Sequence, residues 1–223
     1  MIELVWWGHA CFEIIYNDVN LVIDPHDGVS LGRNFKAPMT IAKYVLVSHR
    51  HYDHDAVEVV TNRDTEVIYE KEGRFRLGPF DVEGVKLPHD EFNGRIRGYV
   101  VAYIVRVEGL RLIHLSDIGR SLNEEEANRI GTTDVALVPV GNVYTILPHE
   151  AIRVAEMLEA KIIIPMHYWV TGMQLPLDPL DSFLRFAKKW KVVRIDTNKV
   201  VLGKDKLPEE KSIYVLKPPL RYG

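Results

Sequence analysis

Covalent cross-linking within the chain is excluded at the outset, because its 223 residues contain one cysteine, Cys11. That scarcity fits a reducing cytoplasm. Cys11 sits in an apolar strand-like run and is expected to be buried and inert. Long apolar runs are also missing: none approaches the roughly 18 residues that suggest a membrane span. The opening Met1-Ile2-Glu3-Leu4 has neither a basic region nor a cleavage site, so no signal peptide is expected there. Basic residues are not in excess. Lys and Arg number 28 against 31 Asp and Glu, and the net charge of −3 gives no global attraction to nucleic acid. Glutamine occurs once, at Gln174, a depletion in the direction of thermophilic proteins. Linkers and low-complexity segments are absent from the sequence, and 47% hydrophobic with 26% charged residues is ordinary for a globular chain. One domain over 1–223 is expected.

What the sequence does have is a concentration of metal-binding side chains. Four of the seven residues in Ser48-His49-Arg50-His51-Tyr52-Asp53-His54 can ligate an ion. On an extended segment His49 and His51 point the same way, with Cα atoms roughly 6.6 Å apart. Asp53 and His54 follow where the chain must turn, which directs them to a second, neighbouring position. So tight a set suits two ions about 3.5–4 Å apart better than one. The plainer reading is a polar loop with chance histidines. Against it stands the lead-in Tyr44-Val45-Leu46-Val47, a buried-strand signature, followed by an apolar-periodic stretch with Ala56, Val57, Val59 and Val60. Strand, ligand loop and helix is the context such a motif needs.

At these residues the chain resembles the metallo-β-lactamase superfamily, whose signature is His-x-His-x-Asp-His at a strand end. Further candidates follow in the superfamily's order: His89 after Leu87-Pro88, Asp117 after the run 110–116, and His167 in Pro165-Met166-His167-Tyr168. That tetrapeptide, with Trp7-Gly8-His9-Ala10-Cys11-Phe12 and Ile23-Asp24-Pro25, resembles the subgroup of ascorbate-phosphate lactonases and uncharacterised metal-dependent hydrolases. The resemblance spans about residues 4 to 187. It implies an α/β, four-layer αββα sandwich, which periodicity alone would not distinguish from other α/β layers. It also implies that His49, His51 and His89 bind one ion, Asp53, His54 and His167 a second, and that Asp117 bridges them. Asp24 is implied to orient a ligating histidine, with an Asx-turn before Pro25 as the structural alternative. His9 is implied to lie near the metals, and Tyr168, which flanks a site segment, is expected near the substrate. Departures concern the pocket mouth: Ser116 stands where relatives usually carry Gly, Gly141-Asn142 where they often pair glycines, Ile146 where Met follows the threonine, and Trp169-Val170 where Gly-Thr is common.

Five imidazoles and two carboxylates, with no thiolate, suit zinc and tolerate manganese or iron. Water held by such ions has a pKa of roughly 7, and hydroxide can then attack a carbonyl carbon or phosphorus. Asp53 is the candidate catalytic residue, as a ligand that can also take a proton. Two dications, two carboxylates and one hydroxide leave about one net positive charge, so a small anionic ester, a lactone or phosphate ester, is the expected substrate. The alternatives are a nuclease or phosphodiesterase on the same metals, which would normally bring a basic appendage, and a non-catalytic metal-binding scaffold, which needs no full ligand set. Di-iron redox relatives carry glutamate where His51 stands, which disfavours oxygen chemistry. No membrane partner is expected, and homo-oligomers are left open. His26 and His114 read as structural, His149 as a surface residue, Arg33 and Arg120 as solvated, and Tyr144 and Trp169 as pocket rim.

Strand patterns fall near 2–7, 11–16, 20–24, 44–48, 66–70, 80–87, 98–107, 110–115, 134–139, 161–165, 192–196 and 199–202. Helical patterns fall near 54–61, 121–130, 148–159 and 179–190, the second with a capping box from Ser121 to Glu124 and a stop at Gly131.

Overall fold

Alternation along the strands builds two faces at once. In Tyr44–Val47, Leu46 points into the main core while Val45 and Val47 join a second cluster with Cys11, Val22, Ala42 and Val60. Both faces of this strand are therefore buried, as its unbroken apolar run requires. The computed structural model describes residues 1–220. Its first sheet contains β1 (Ile2–Gly8), β2 (Cys11–Tyr16), β3 (Val19–Ile23), β4 (Tyr44–Val47) and β5 (Glu66–Tyr69). The second contains β6 (Gly73–Leu77), β7 (Phe80–Pro88), β8 (Tyr99–Val107), β9 (Leu110–His114), β10 (Val135–Pro139), β11 (Ile162–Met166) and β12 (Lys191–Ile195). The chain then adds β13 (Lys199–Leu202) to the first sheet and β14 (Ser212–Leu216) to the second.

Strand order is β13-β1-β2-β3-β4-β5 in one sheet and β12-β14-β11-β10-β9-β8-β7-β6 in the other. Each sheet is mixed. Pairing is antiparallel from β13 to β3 and parallel from β3 to β5, while β12 to β9 run parallel and β9 to β6 antiparallel. The inner faces meet in one core, where Leu4, Trp6, Phe12 and Ile23 of the first sheet join Val82, Tyr103, Leu112 and Ile164 of the second.

Helices α1 (Glu124–Ile130), α2 (Pro148–Met157) and α3 (Leu180–Leu184) add buried side chains to this core, among them Ile130, Val154 and Phe183. The layered α/β sandwich expected from the sequence is the observed one, with local differences. The stretch 54–61 is a 3-10 turn at Val57–Val59, because β-branched Val57, Val59 and Val60 disfavour a helix and Val60 is drawn into the second cluster. The capping box is formed by Asn123 and Glu126, two residues beyond the expected pair: each side chain accepts from the other's backbone N–H, at 2.8 and 2.9 Å. The expected last helix ends at Leu184 and continues as i→i+3 turns to Trp190. Strands β6 and β14 lie outside the expectation. The first is a charged edge, with Arg74 and Arg76 exposed around Phe75.

Candidate metal centre

Every candidate ligand lies just beyond the carboxyl end of a strand. The segment 48–54 follows β4, His89 follows β7, Asp117 follows β9, and His167 follows β11. Two further loops reach the same place, the β1–β2 turn with His9 and the end of β3 with Asp24. Four of these turning residues have left-handed backbone: His9 at φ 51°, Asp24 at 51°, Ser116 at 52° and His167 at 51°. Such conformations are uncommon outside glycine and gather where a site demands a particular side-chain direction.

The side chains converge. Ligand atoms of His49, His51 and His89 lie within 4.8 Å of one another, and so do those of His9, Asp53, His54 and His167. Asp117 joins the two groups: its Oδ2 is 3.1 Å from His167 Nε2, 3.3 Å from His54 Nε2 and 4.0 Å from His89 Nε2. All of them are buried or nearly so, except His51, which is exposed in the cleft.

Polar groups outside this ring fix its geometry. Asp24 is fully buried; its Oδ2 accepts from His54 Nδ1 at 3.0 Å and from Ser48 Oγ at 2.6 Å, and its Oδ1 accepts from the Ser48 amide at 2.8 Å. With Nδ1 donating to Asp24, His54 Nε2 is left as the atom that looks toward Asp117. Ser48 Oγ also lies 2.9 Å from His49 Nδ1 and 2.6 Å from Ser116 Oγ. His49 Nε2, His54 Nε2 and Asp117 Oδ1 are buried with no hydrogen-bond partner among the described residues. Nitrogens and an oxygen held in this way suit a cation better than empty space, since an unmatched buried polar atom costs about 1–3 kcal/mol.

Electrostatics agree. Burial, with neighbouring His54, pushes His49 down to about 3, so its ring is neutral and keeps a lone pair for an ion. Burial also pushes His54 down, but Asp117 and Asp53 outweigh it and hold its pKa well above the usual histidine value. For Asp117, burial acts upward while His167 and His54 hold the carboxyl well below the ordinary range. Two carboxylates thus concentrate negative potential where a cation would sit.

Asp24 lies against the cluster through His54, and His9 also lies beside it, its Nε2 3.0 Å from Asp53 Oδ2. Tyr168 does not. Its ring is buried against Trp6, with centroids 5.5 Å apart, and it lines a separate cavity with Trp169 and Arg194. The left-handed turn at His167 sends neighbouring side chains to different sides. His26 and His114 are structural, with Nε2 atoms 3.0 Å from the Trp7 carbonyl and 2.7 Å from the Ala10 carbonyl. Arg120 is tied to Glu126 by two bonds of 2.8 and 2.9 Å, not solvated. Residues absent from the sequence expectation are Ser48, Asp90 and Arg97. Ser48 lies inside the ligand motif and Asp90 beside His89, but neither position distinguishes a site residue from a loop residue.

A cleft of about 460 Å³ opens over the cluster, lined by Arg50, His51, Tyr52, Asp53, His89, Arg97, Asp117, Tyr144, His167 and Leu175. The backbone beside His167 is tightly packed. A Cβ on Gly141 would collide with the His167 carbonyl oxygen. Gly141→Ala should therefore displace His167, lower the metal content and cost about 1–3 kcal/mol of stability. Metal analysis and thermal melting check this; wild-type values in both would show that the strand ends can part.

Fold and donor set together define a metal-dependent hydrolase built on a two-sheet sandwich. A family model described as Beta-lactamase superfamily domain matches residues 3–167, and the chain belongs to the metallo-β-lactamase superfamily. A UPF0173 metal-dependent hydrolase of Methanopyrus kandleri is 30% identical over 230 residues, covering 90% of this chain and 96% of the relative. One from Thermococcus onnurineus is 28% identical, with 75% and 85% covered. Among solved structures, a Thermotoga maritima protein assigned as a Zn-dependent hydrolase of the superfamily shares 32% identity at a TM-score of 0.77, covering 97% of this chain and 98% of that one.

Proposed function

We propose that the protein is a dinuclear hydrolase of a small anionic ester, a lactone or a phosphate ester, in the cytoplasm. The carrying observation is that a three-histidine group and a four-residue group that includes His9 are linked by one carboxylate oxygen, Asp117 Oδ2, which lies 3.1 to 4.0 Å from His167, His54 and His89. His49, His51 and His89 would hold one ion, Asp53, His54 and His167 the other, and Asp117 both. Zinc suits this imidazole-rich set, and manganese or iron would be tolerated. Divalent ions there would lower the pKa of water toward about 7 and polarise the electrophilic carbonyl or phosphorus.

The chain's own groups do the rest. Asp24 keeps the His54 ring in place, and the Ser48–Ser116 pair does the same for His49. Asp53 faces the cleft and is set by His9, so it can orient a water and accept its proton as the ester C–O or P–O bond breaks. Arg50 and Arg97 in the cleft wall favour an anionic substrate. The test is metal analysis of the purified protein, followed by a panel of lactones and phosphate esters with zinc and with manganese. Two ions per chain and turnover of at least one ester are expected. One ion at saturation would overturn the dinuclear assignment, and full occupancy without hydrolysis of any ester would overturn the substrate class.

A further inference from the structure

The cleft does not end at the ligands. A second cavity of about 280 Å³ opens beside it, and His89, Arg97 and Tyr144 line both. Two irregular segments form its walls. The first, 91–97, is wrapped around Asp90. Asp90 Oδ1 accepts from the amides of Phe92 and Gly94 at 2.9 Å each, and Oδ2 from those of Ile96 at 2.9 Å and Arg97 at 2.7 Å. Four charge-assisted backbone bonds fix a segment that has no regular secondary structure. The second wall passes through Asn142 and Val143, left-handed at φ 57° and 38°. A β-branched residue at positive φ is a genuine outlier, and such strain persists where a functional shape requires it.

These rigid walls present apolar groups to solvent. Phe92 is 51% exposed, Ile96 68%, Val143 43% and Leu147 44%, and all four line the side cavity. Apolar side chains gathered around one concavity mark a ligand surface, whereas isolated ones do not. At the junction with the metal cleft stands Arg97. Its guanidinium lies 4.9 Å from the Tyr144 ring centroid, and Nη1 donates to the Val143 carbonyl at 3.3 Å. Among the other charged groups of the cavity, Arg120 is held by Glu126 and Glu150 accepts from the Leu147 amide, while Glu91 is exposed on the wall.

We propose that this side cavity is a second substrate subsite: it takes an alkyl or aryl group, while Arg97 at the junction pairs with an anionic group beside the reacting ester. The inference rests on the hydrolase reading above and narrows its substrate to an amphiphilic ester. Shared walls favour one molecule spanning cleft and cavity over a separate partner.

The test is calorimetric titration of the zinc-loaded protein with n-alkylphosphonates from methyl to octyl. Affinity should rise about three- to fourfold per methylene until the cavity is filled. Ile96→Asp, at an exposed position, should flatten that dependence, and Phe92→Ser, run in parallel, should weaken it without adding a charge. Arg97→Gln should weaken every member about tenfold and leave the slope unchanged. Chain-length-independent binding to the wild type, or an unchanged slope in both apolar variants, overturns the subsite. So does a wild-type dimer that Ile96→Asp dissociates with no alkyl dependence, which would make the patch an interface between copies. Binding and hydrolysis fail separately. A clear slope without turnover of any ester keeps the subsite and removes the hydrolytic substrate class, while turnover of short esters with no slope does the reverse.

Discussion

Asp117→Asn should lose at least one metal ion per chain and essentially all turnover. The substitution keeps the side chain's shape but removes its charge, and its amide presents donors or a neutral oxygen to nitrogens 3.1 and 3.3 Å away. Two neighbouring cations would then face each other without the anion that offsets their repulsion. Partners that only orient a ligand typically cost 10–100-fold in metal affinity, so a group touching both ligand sets should cost about a hundredfold or more. The fold should survive, because Asp117 lies beyond the end of β9 and contributes no apolar packing. Metal analysis with circular dichroism reads both effects. A variant with the wild-type metal content and activity would show that Asp117 is not the bridge.

The second large effect is expected at Asp53. Asp53→Ala removes a ligand and the carboxylate best placed to take a proton, and turnover should fall by about 10²–10⁴-fold or more. It also strands His9 Nε2, which is fully buried and has Asp53 as its hydrogen-bond partner at 3.0 Å. A stability loss of about 1–3 kcal/mol should accompany the loss of activity. Asp53→Asn separates the two, since its side chain can still meet His9 while losing basicity and charge. Near-normal melting of the metal-free protein, with abolished turnover, is expected for that variant. Substantial turnover in both variants would move the proton-accepting role elsewhere in the cleft.

The candidate ligands were legible because their chemistry is concentrated in residue type. A histidine or aspartate just past a β-branched run reads as a site residue wherever the strand ends fall, so His89, Asp117 and His167 needed no exact register. Residues whose role depends on closeness across the chain were not legible. Ser48 and Ser116 meet at 2.6 Å from positions 68 residues apart, and nothing in either segment announces the other. Asp90 is similar, because its value lies in four amides that only the folded loop brings round it. Among the elements, 54–61 carries apolar spacing that suits a helix, but that spacing serves to close the outer cluster through Val60. The edge strand β6 was hidden by its arginines. By contrast, Ile213-Tyr214-Val215-Leu216 in β14 is a plain strand signal, recoverable from residue type alone.

The loop after β4 belongs to one sheet, whereas the loops after β7, β9 and β11 belong to the other. An ion held between them would rivet the two halves of the sandwich at their rim, in a chain whose lone buried thiol offers no covalent tie. Occupancy and heat resistance would then be a single thermodynamic quantity: each thousandfold excess of free metal over its dissociation constant adds about 4 kcal/mol to the folded state. A metal-starved cell would hold this protein not merely idle but closer to melting.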